Sequence, residues 1–126
     1  MKKVIISNEA PAAIGPYSHA ILTDNIAFLS GQIPLDPSTG KLVEGGIEEQ
    51  TVQVLKNISA ILNTAGLTFD NVIKTTVFLS DLANFKTVNE IYGKYFTSDC
   101  PARSCVQVAA LPMGSLVEIE VICARE

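Results

Sequence analysis

The sequence predicts an α+β fold in the order β-β-β-α-β-α-β-β, a mixed sheet with both helices on one face. Three observations carry this expectation. One long stretch, residues 46–65, repeats Val52, Leu55, Ile58, Ile61, Leu62 and Ala65 at helical spacing. Short β-branched runs flank it on both sides. Two helices are too few to cover both faces of a sheet that size, so the other face is expected to be wet or to meet another chain.

Each element has its own signal. Val4-Ile5-Ile6 is β-rich and precedes a Pro/Gly-punctuated segment, Ala10-Pro11-Ala12-Ala13-Ile14-Gly15-Pro16. Residues 17–23 and 26–30 read as strands joined by a tight hairpin at Asp24-Asn25. Gly31-Gln32-Ile33-Pro34 and Asp36-Pro37-Ser38-Thr39-Gly40 carry turn chemistry. Gly66 is a natural stop for the long helix. Residues 72–79 read as a strand. Asp81 can cap a second helix through about residue 96, with Leu82, Phe85, Val88, Tyr92 and Tyr95 on its buried stripe. Residues 103–109 and 116–124 complete the sheet. In the last strand Val117, Ile119, Val121 and Cys123 point one way and Leu116, Glu118, Glu120 and Ile122 the other.

Composition narrows the chemistry. A length of 126 residues fits a single domain, residues 1–126, and the formal charge is −4. Charged residues make up 17% of the chain, against about 25% in ordinary soluble proteins. Part of the apolar content is therefore expected in a subunit interface. A single histidine, His19, excludes a His-rich metal site and a multi-histidine relay, and it reads as a strand residue without a catalytic role. No basic run suits a nucleic-acid groove, and no stretch suits a signal peptide or a membrane span. Cys100, Cys105 and Cys123 form no C-x-x-C pair and suit reduced thiols, so the chain reads as cytoplasmic.

Few residues remain to carry chemistry. The arginines are Arg103 and Arg125, and Arg125 beside the C-terminus reads as a solvated charge. Arg103, Cys105 and Gln107 share one strand face by parity, as do Glu118 and Glu120. A hairpin about Leu111-Pro112 would set Cys105 near Glu118 and Arg103 near Glu120; otherwise another element or another chain must join them. Arg103 then has two readings: an ion pair with one of the glutamates, or a planar clamp for a substrate carboxylate. Glu118 and Glu120 are either ordinary outward residues or include one carboxyl with a raised pKa acting as acid and base. Cys105 reads more readily as a small core hydrophobe than as a nucleophile, since it lacks a nearby histidine. Tyr17 is a packed aromatic or the wall of a small-molecule site. Ser30-Gly31 could admit a ligand to the backbone, or Gly31 could serve only the turn.

Five motifs then combine: Ala12-Ala13-Ile14-Gly15-Pro16-Tyr17, Ser30-Gly31-Gln32-Ile33-Pro34, Lys74-Thr75-Thr76-Val77-Phe78-Leu79, Pro101-Ala102-Arg103-Ser104-Cys105-Val106 and Glu118-Ile119-Glu120. In order and spacing, from about residue 7 to 125, they resemble the Rid (YjgF) family and within it the archetypal RidA subgroup. The resemblance implies a chorismate-mutase-like two-layer fold and a homotrimer with a cleft between each pair of subunits. It implies cofactor-independent hydrolysis of 2-imino acids and their enamines (2-iminobutanoate, 2-iminopropanoate) to 2-oxo acids and ammonia. Such imines come from pyridoxal-phosphate-dependent dehydratases, whose enzymes the reaction protects. Residue by residue, Arg103 corresponds to the arginine gripping the substrate carboxylate and Glu118 to the glutamate handling water and protons. Cys105 corresponds to a site position acting through its backbone, and Tyr17, Ser30, Gly31 and Asn89 to cleft-lining positions. Two other readings stay open: a non-catalytic 2-oxo-acid-binding or regulatory module, and a ribonuclease that inhibits translation. The charge of −4 weighs against the latter.

Overall fold

The computed structural model describes residues 1–125. Six strands form one mixed sheet in the spatial order β1-β2-β3-β6-β4-β5. They are β1 (Lys2–Ile5), β2 (Ala20–Thr23), β3 (Ile26–Gln32), β4 (Val72–Leu79), β5 (Ala102–Gln107) and β6 (Val117–Ala124). Every pairing is antiparallel except β4 with β5. Two helices, α1 (Ile47–Thr64) and α2 (Phe85–Tyr92), complete an α+β architecture.

The helices pack on one face of the sheet. From α1, Val54, Leu55, Ile58, Ile61 and Leu62 meet Val77, Leu79, Val117, Ile119, Val121 and Cys123 in a single buried cluster. Burial at this scale contributes about 1.5–3 kcal/mol per large apolar side chain. The parity expected of β6 holds, with Val117, Ile119, Val121 and Cys123 all on the buried side.

The long helix ends where the sequence directs. Gly66 takes φ +75°, its N–H donates to Asn63 O at 3.1 Å, and Leu67 N–H donates to Leu62 O at 2.8 Å. Only a residue without Cβ adopts that left-handed turn cheaply. At the other end the Glu49 carboxylate accepts the Gly46 N–H at 2.8 Å, satisfying a donor the helix cannot.

Three expectations change. First, β5 and β6 are not a hairpin, because β4 lies between them. Their connection passes over the end of β4, where Val108 N–H donates to Leu79 O at 2.9 Å and Ser80 N–H donates to Leu116 O at 3.1 Å. Second, α2 stops at Tyr92 with Gly93 as its C-cap, and the segment capped by Asp81 begins as a 3-10 turn, Leu82–Asn84. The tighter turn shifts the phase of the stripe. Val88, Ile91 and Tyr92 are buried while Leu82 and Phe85 are exposed, and Phe96 rather than Tyr95 joins the core.

Third, β2 starts only at Ala20, so His19 lies in the preceding bend rather than in a strand. Its Nδ1 accepts the Ser7 N–H at 2.9 Å and its Nε2 faces Pro11 O at 2.8 Å. Bonded to backbone at both nitrogens, this buried ring ties the N-terminal segment to the sheet.

Candidate active site

The open face of the sheet carries the first group of candidates. The β3 ladder is irregular between Leu29 and Gln32, where its register on β6 shifts. Ser30 and Gly31 occupy that irregularity. The Ser30 hydroxyl donates to Ser18 O at 2.6 Å and its N–H to His19 O at 2.9 Å, which fixes the segment carrying Tyr17 against β3. Tyr17, exposed to 45%, is therefore the wall of a cleft rather than a core aromatic.

That cleft has a volume of about 450 Å³ and is lined by Tyr17, Ser30, Gly31, Glu118 and Glu120, with Ile14, Ile33 and Pro112 as apolar walls. The walls are held from behind. Buried Asn57 on α1 donates to Leu35 O at 2.9 Å and Ile33 O at 3.3 Å. The Gln50 side chain of the same helix accepts the Leu116 N–H at 2.8 Å just before β6 begins.

Gly31 and Glu118 are coupled by space. A Cβ on Gly31 would overlap the Glu118 carboxylate, with Cδ only 3.0 Å away. Gly31 serves this close approach, because its side is where the carboxyl lies. Half-burial pushes the Glu118 carboxyl above the usual carboxylate range, and the neighbouring charge of Glu120 adds to the shift. Of the two readings of the acidic strand, Glu118 fits the raised carboxyl and Glu120 the outward, solvated residue.

The second group lies elsewhere. Arg103 stands on β5 beside Thr75 of β4, and Thr75 is fully buried on the helix side. The guanidinium reaches α2, where Nη1 donates to Asn89 Oδ1 at 2.7 Å. Its carbon lies 4.9 Å from the Tyr92 ring centroid and 5.4 Å from that of Phe85. The partner is a neutral amide, so the expected ion pair with Glu118 or Glu120 is not what holds Arg103. A slightly smaller hollow of about 400 Å³ opens here, lined by Asn89, Tyr92, Gly93, Phe96, Cys100, Pro101 and Arg103.

Glu118 pairs with Phe78 of β4 and points to the open face, whereas Arg103 pairs with Thr75 and points to the helix face. Within one chain the two residues are therefore on opposite faces of the sheet. Cys105 also lies on the helix side, packed against the core. Burial pushes its thiol up, and nearby Arg103 only partly offsets this, so the neutral thiol dominates. Among the described residues no three His, Cys, Asp or Glu side chains gather where they could hold a metal ion. A further hollow of about 500 Å³, between α1 and α2, contains none of these candidates.

The sequence reading did not single out Ile14, Ile33, Pro112 or Tyr92 as site residues. Ile14 and Ile33 sit inside the motifs around Tyr17 and Ser30, which was the available signal. Nothing local marks Pro112.

Fold and site define a small α+β protein with two polar clusters on opposite faces of one sheet. The chain belongs to the Endoribonuclease L-PSP family, whose model matches residues 7–125. It is 55% identical over 125 residues to the mouse 2-iminobutanoate/2-iminopropanoate deaminase, covering 99% of this chain and 93% of that protein. It superposes with a TM-score of 0.96 on YyfA of Yersinia pestis, a member of the conserved Rid protein family, at 55% identity and with 99% and 100% of the two chains covered. E. coli TdcF with bound serine matches with a TM-score of 0.93 at 42% identity, covering 98% of this chain and 99% of that one.

Proposed function

We propose that this chain is a 2-iminobutanoate/2-iminopropanoate deaminase, hydrolysing reactive 2-imino acids to 2-oxo acids and ammonia. The relatives named for that activity match 99% of this chain. The observation that carries the reading is that Tyr17, Ser30, Gly31 and Glu118, from separate motifs, line one cleft around a carboxyl raised by burial.

The catalytic unit is a homotrimer of single-domain chains, each spanning residues 1–126 in a chorismate-mutase-like arrangement. Two features support it. The open face carries two apolar stretches, Val4, Ile21, Phe28 and Ile122 across β1, β2, β3 and β6, and Phe78 beside Val106 on β4 and β5, of which Phe28 is 48% and Val106 43% exposed. Uncovered apolar surface next to exposed edge strands calls for a partner, and a second copy of the chain matches it. The two half-sites also face away from each other within one chain. In the trimer, Arg103 and Asn89 of one chain complete the cleft formed by Tyr17, Ser30, Gly31 and Glu118 of the next.

The chemistry then follows from the groups. Arg103 grips the substrate carboxylate through its planar fork and fixes the imine carbon. Glu118, ionised, takes a proton from a water as the C–O bond forms at the protonated imine. It returns that proton to the amino nitrogen of the carbinolamine. The C–N bond breaks with its electron pair on nitrogen, ammonia leaves, and Glu118 collects the hydroxyl proton as the 2-oxo acid forms. The last proton passes to ammonia, giving ammonium. Cys105 takes part through its backbone. A protonated imine is already electrophilic, so no covalent nucleophile enters this scheme.

The substrate comes from pyridoxal-phosphate-dependent dehydratases, and the enzyme works in the cytoplasm, a setting that suits the free thiols Cys100, Cys105 and Cys123. Two carboxylates in the cleft would repel a phosphate backbone, which opposes a ribonuclease reading. A coupled assay tests the assignment: threonine dehydratase with threonine, following 2-oxobutanoate release with and without this protein. Accelerated release is expected. An unchanged rate with a bound 2-oxo acid would make the chain a binding module instead.

A further inference from the structure

Arg103 is exposed, yet it is not loose. Thr75, its register partner on β4, is fully buried, and its Oγ1 lies 2.8 Å from the Tyr92 hydroxyl. That bond pins one end of the Tyr92 ring to the sheet. The ring in turn lies 4.9 Å from the Arg103 guanidinium carbon, and Phe85 lies 5.4 Å from it on the same helix. Asn89, one turn before Gly93, takes one of the five N–H donors at 2.7 Å. An arginine on a flexible stem ordinarily loses rotamer freedom when it grips an anion. Here an aromatic platform and an amide already restrict the plane of the fork.

We propose that Tyr92, anchored by Thr75, is a positioning residue that with Phe85 holds the Arg103 guanidinium flat and orients its remaining donors toward the substrate carboxylate. Tyr92 acts through Arg103, and this inference rests on the reading of Arg103 as the carboxylate clamp. Preorganisation of this kind strengthens ground-state and transition-state binding alike, so its loss appears in KM rather than kcat.

The chain has only two arginines, Arg103 and Arg125. Protein labelled with [15N]arginine therefore gives two Nε–H signals, assigned with the Arg103→Lys variant. Ring currents from Tyr92 and Phe85 should displace the Arg103 signal from its free-peptide position, and adding 2-oxobutanoate should move it further. Tyr92→Leu should return it toward the free position and raise both KM and the 2-oxobutanoate Kd by about 3- to 30-fold. The kcat should stay within about twofold. Tyr92→Phe, which keeps the ring, should lie between wild type and Tyr92→Leu. Should Tyr92→Leu fail to fold, Phe85→Leu at an exposed position carries the same test, with the same direction and a smaller effect.

An unmoved Arg103 signal with unchanged KM in Tyr92→Leu, or in Phe85→Leu if that variant stands in for it, would overturn the positioning role. An Arg103→Ala variant with full activity would instead overturn the clamp reading, and the arginine signal would still report whether the platform exists.

Discussion

The two halves of the candidate site are built in different ways. Around Glu118, the backbone makes the space: a register shift in β3, a glycine without Cβ, and a hydroxyl that ties Ser30 to Ser18. Around Arg103, side chains do it, with two aromatic rings and an amide from α2 restraining a flexible cation. The open-face half tunes a proton, because burial raises a carboxyl. The helix-side half fixes a charge, because a guanidinium keeps its proton and needs only direction. One chain sets the two on opposite faces of the sheet.

The largest effect is expected at Glu118. Glu118→Gln keeps the volume and removes the titrating group, so kcat should fall by about 100- to 10,000-fold. In the wild type, activity requiring ionised Glu118 should decline as pH falls through a value above that of an ordinary carboxylate. Stability runs the other way. A carboxyl whose folded pKa is raised binds its proton more tightly when folded, so stability falls as pH rises from the ordinary value through the raised one. Thermal melting should therefore show Glu118→Gln at least as stable as wild type above that window, with the difference vanishing in acid.

Arg103→Ala comes next, with a loss of at least about 100-fold in kcat/KM, since one charged donor set is removed from a bound anion. Size-exclusion chromatography should show the same elution as the wild type, because the exposed guanidinium contributes little to the core. Gly31→Ala should cost up to about 100-fold by displacing the Glu118 carboxylate while leaving circular dichroism unchanged. Cys105→Ser is the smallest expected change, within about threefold, because a thiol held neutral by burial is a poor nucleophile. A complete loss in a folded Cys105→Ser protein would give the thiol a role.

How much of this was legible in the sequence depends on the range of the signal. The long helix was expected over residues 46–65 and spans Ile47–Thr64, because an unbroken apolar period and Gly66 are local facts. The strand expected over 72–79 is Val72–Leu79, for its β-branched run. Parity placed Glu118 opposite Val117 and Ile119 correctly. Parity does not say which strand is a neighbour, and that is why β5 and β6 were open to a hairpin. The length of the connection let it pass over β4, and with β4 in between, Glu118 and Arg103 point to opposite faces. The amide partner of Arg103 depends on α2 returning beside β5, a long-range fact with no local mark. Leu82 and Phe85 were assigned to the buried stripe because a 3-10 turn is not visible in an apolar period.

Subunit mixing tests most directly whether the site is completed between chains. Arg103→Ala and Glu118→Gln chains, each inactive alone, are co-assembled in equal amounts and the mixed oligomers verified by native mass spectrometry. In a cyclic trimer every mixed assembly has one interface with both residues intact. Random assembly makes about three quarters of the trimers mixed, so activity should recover to about a quarter of wild type. Verified mixed oligomers without recovered activity would contradict a site shared between subunits.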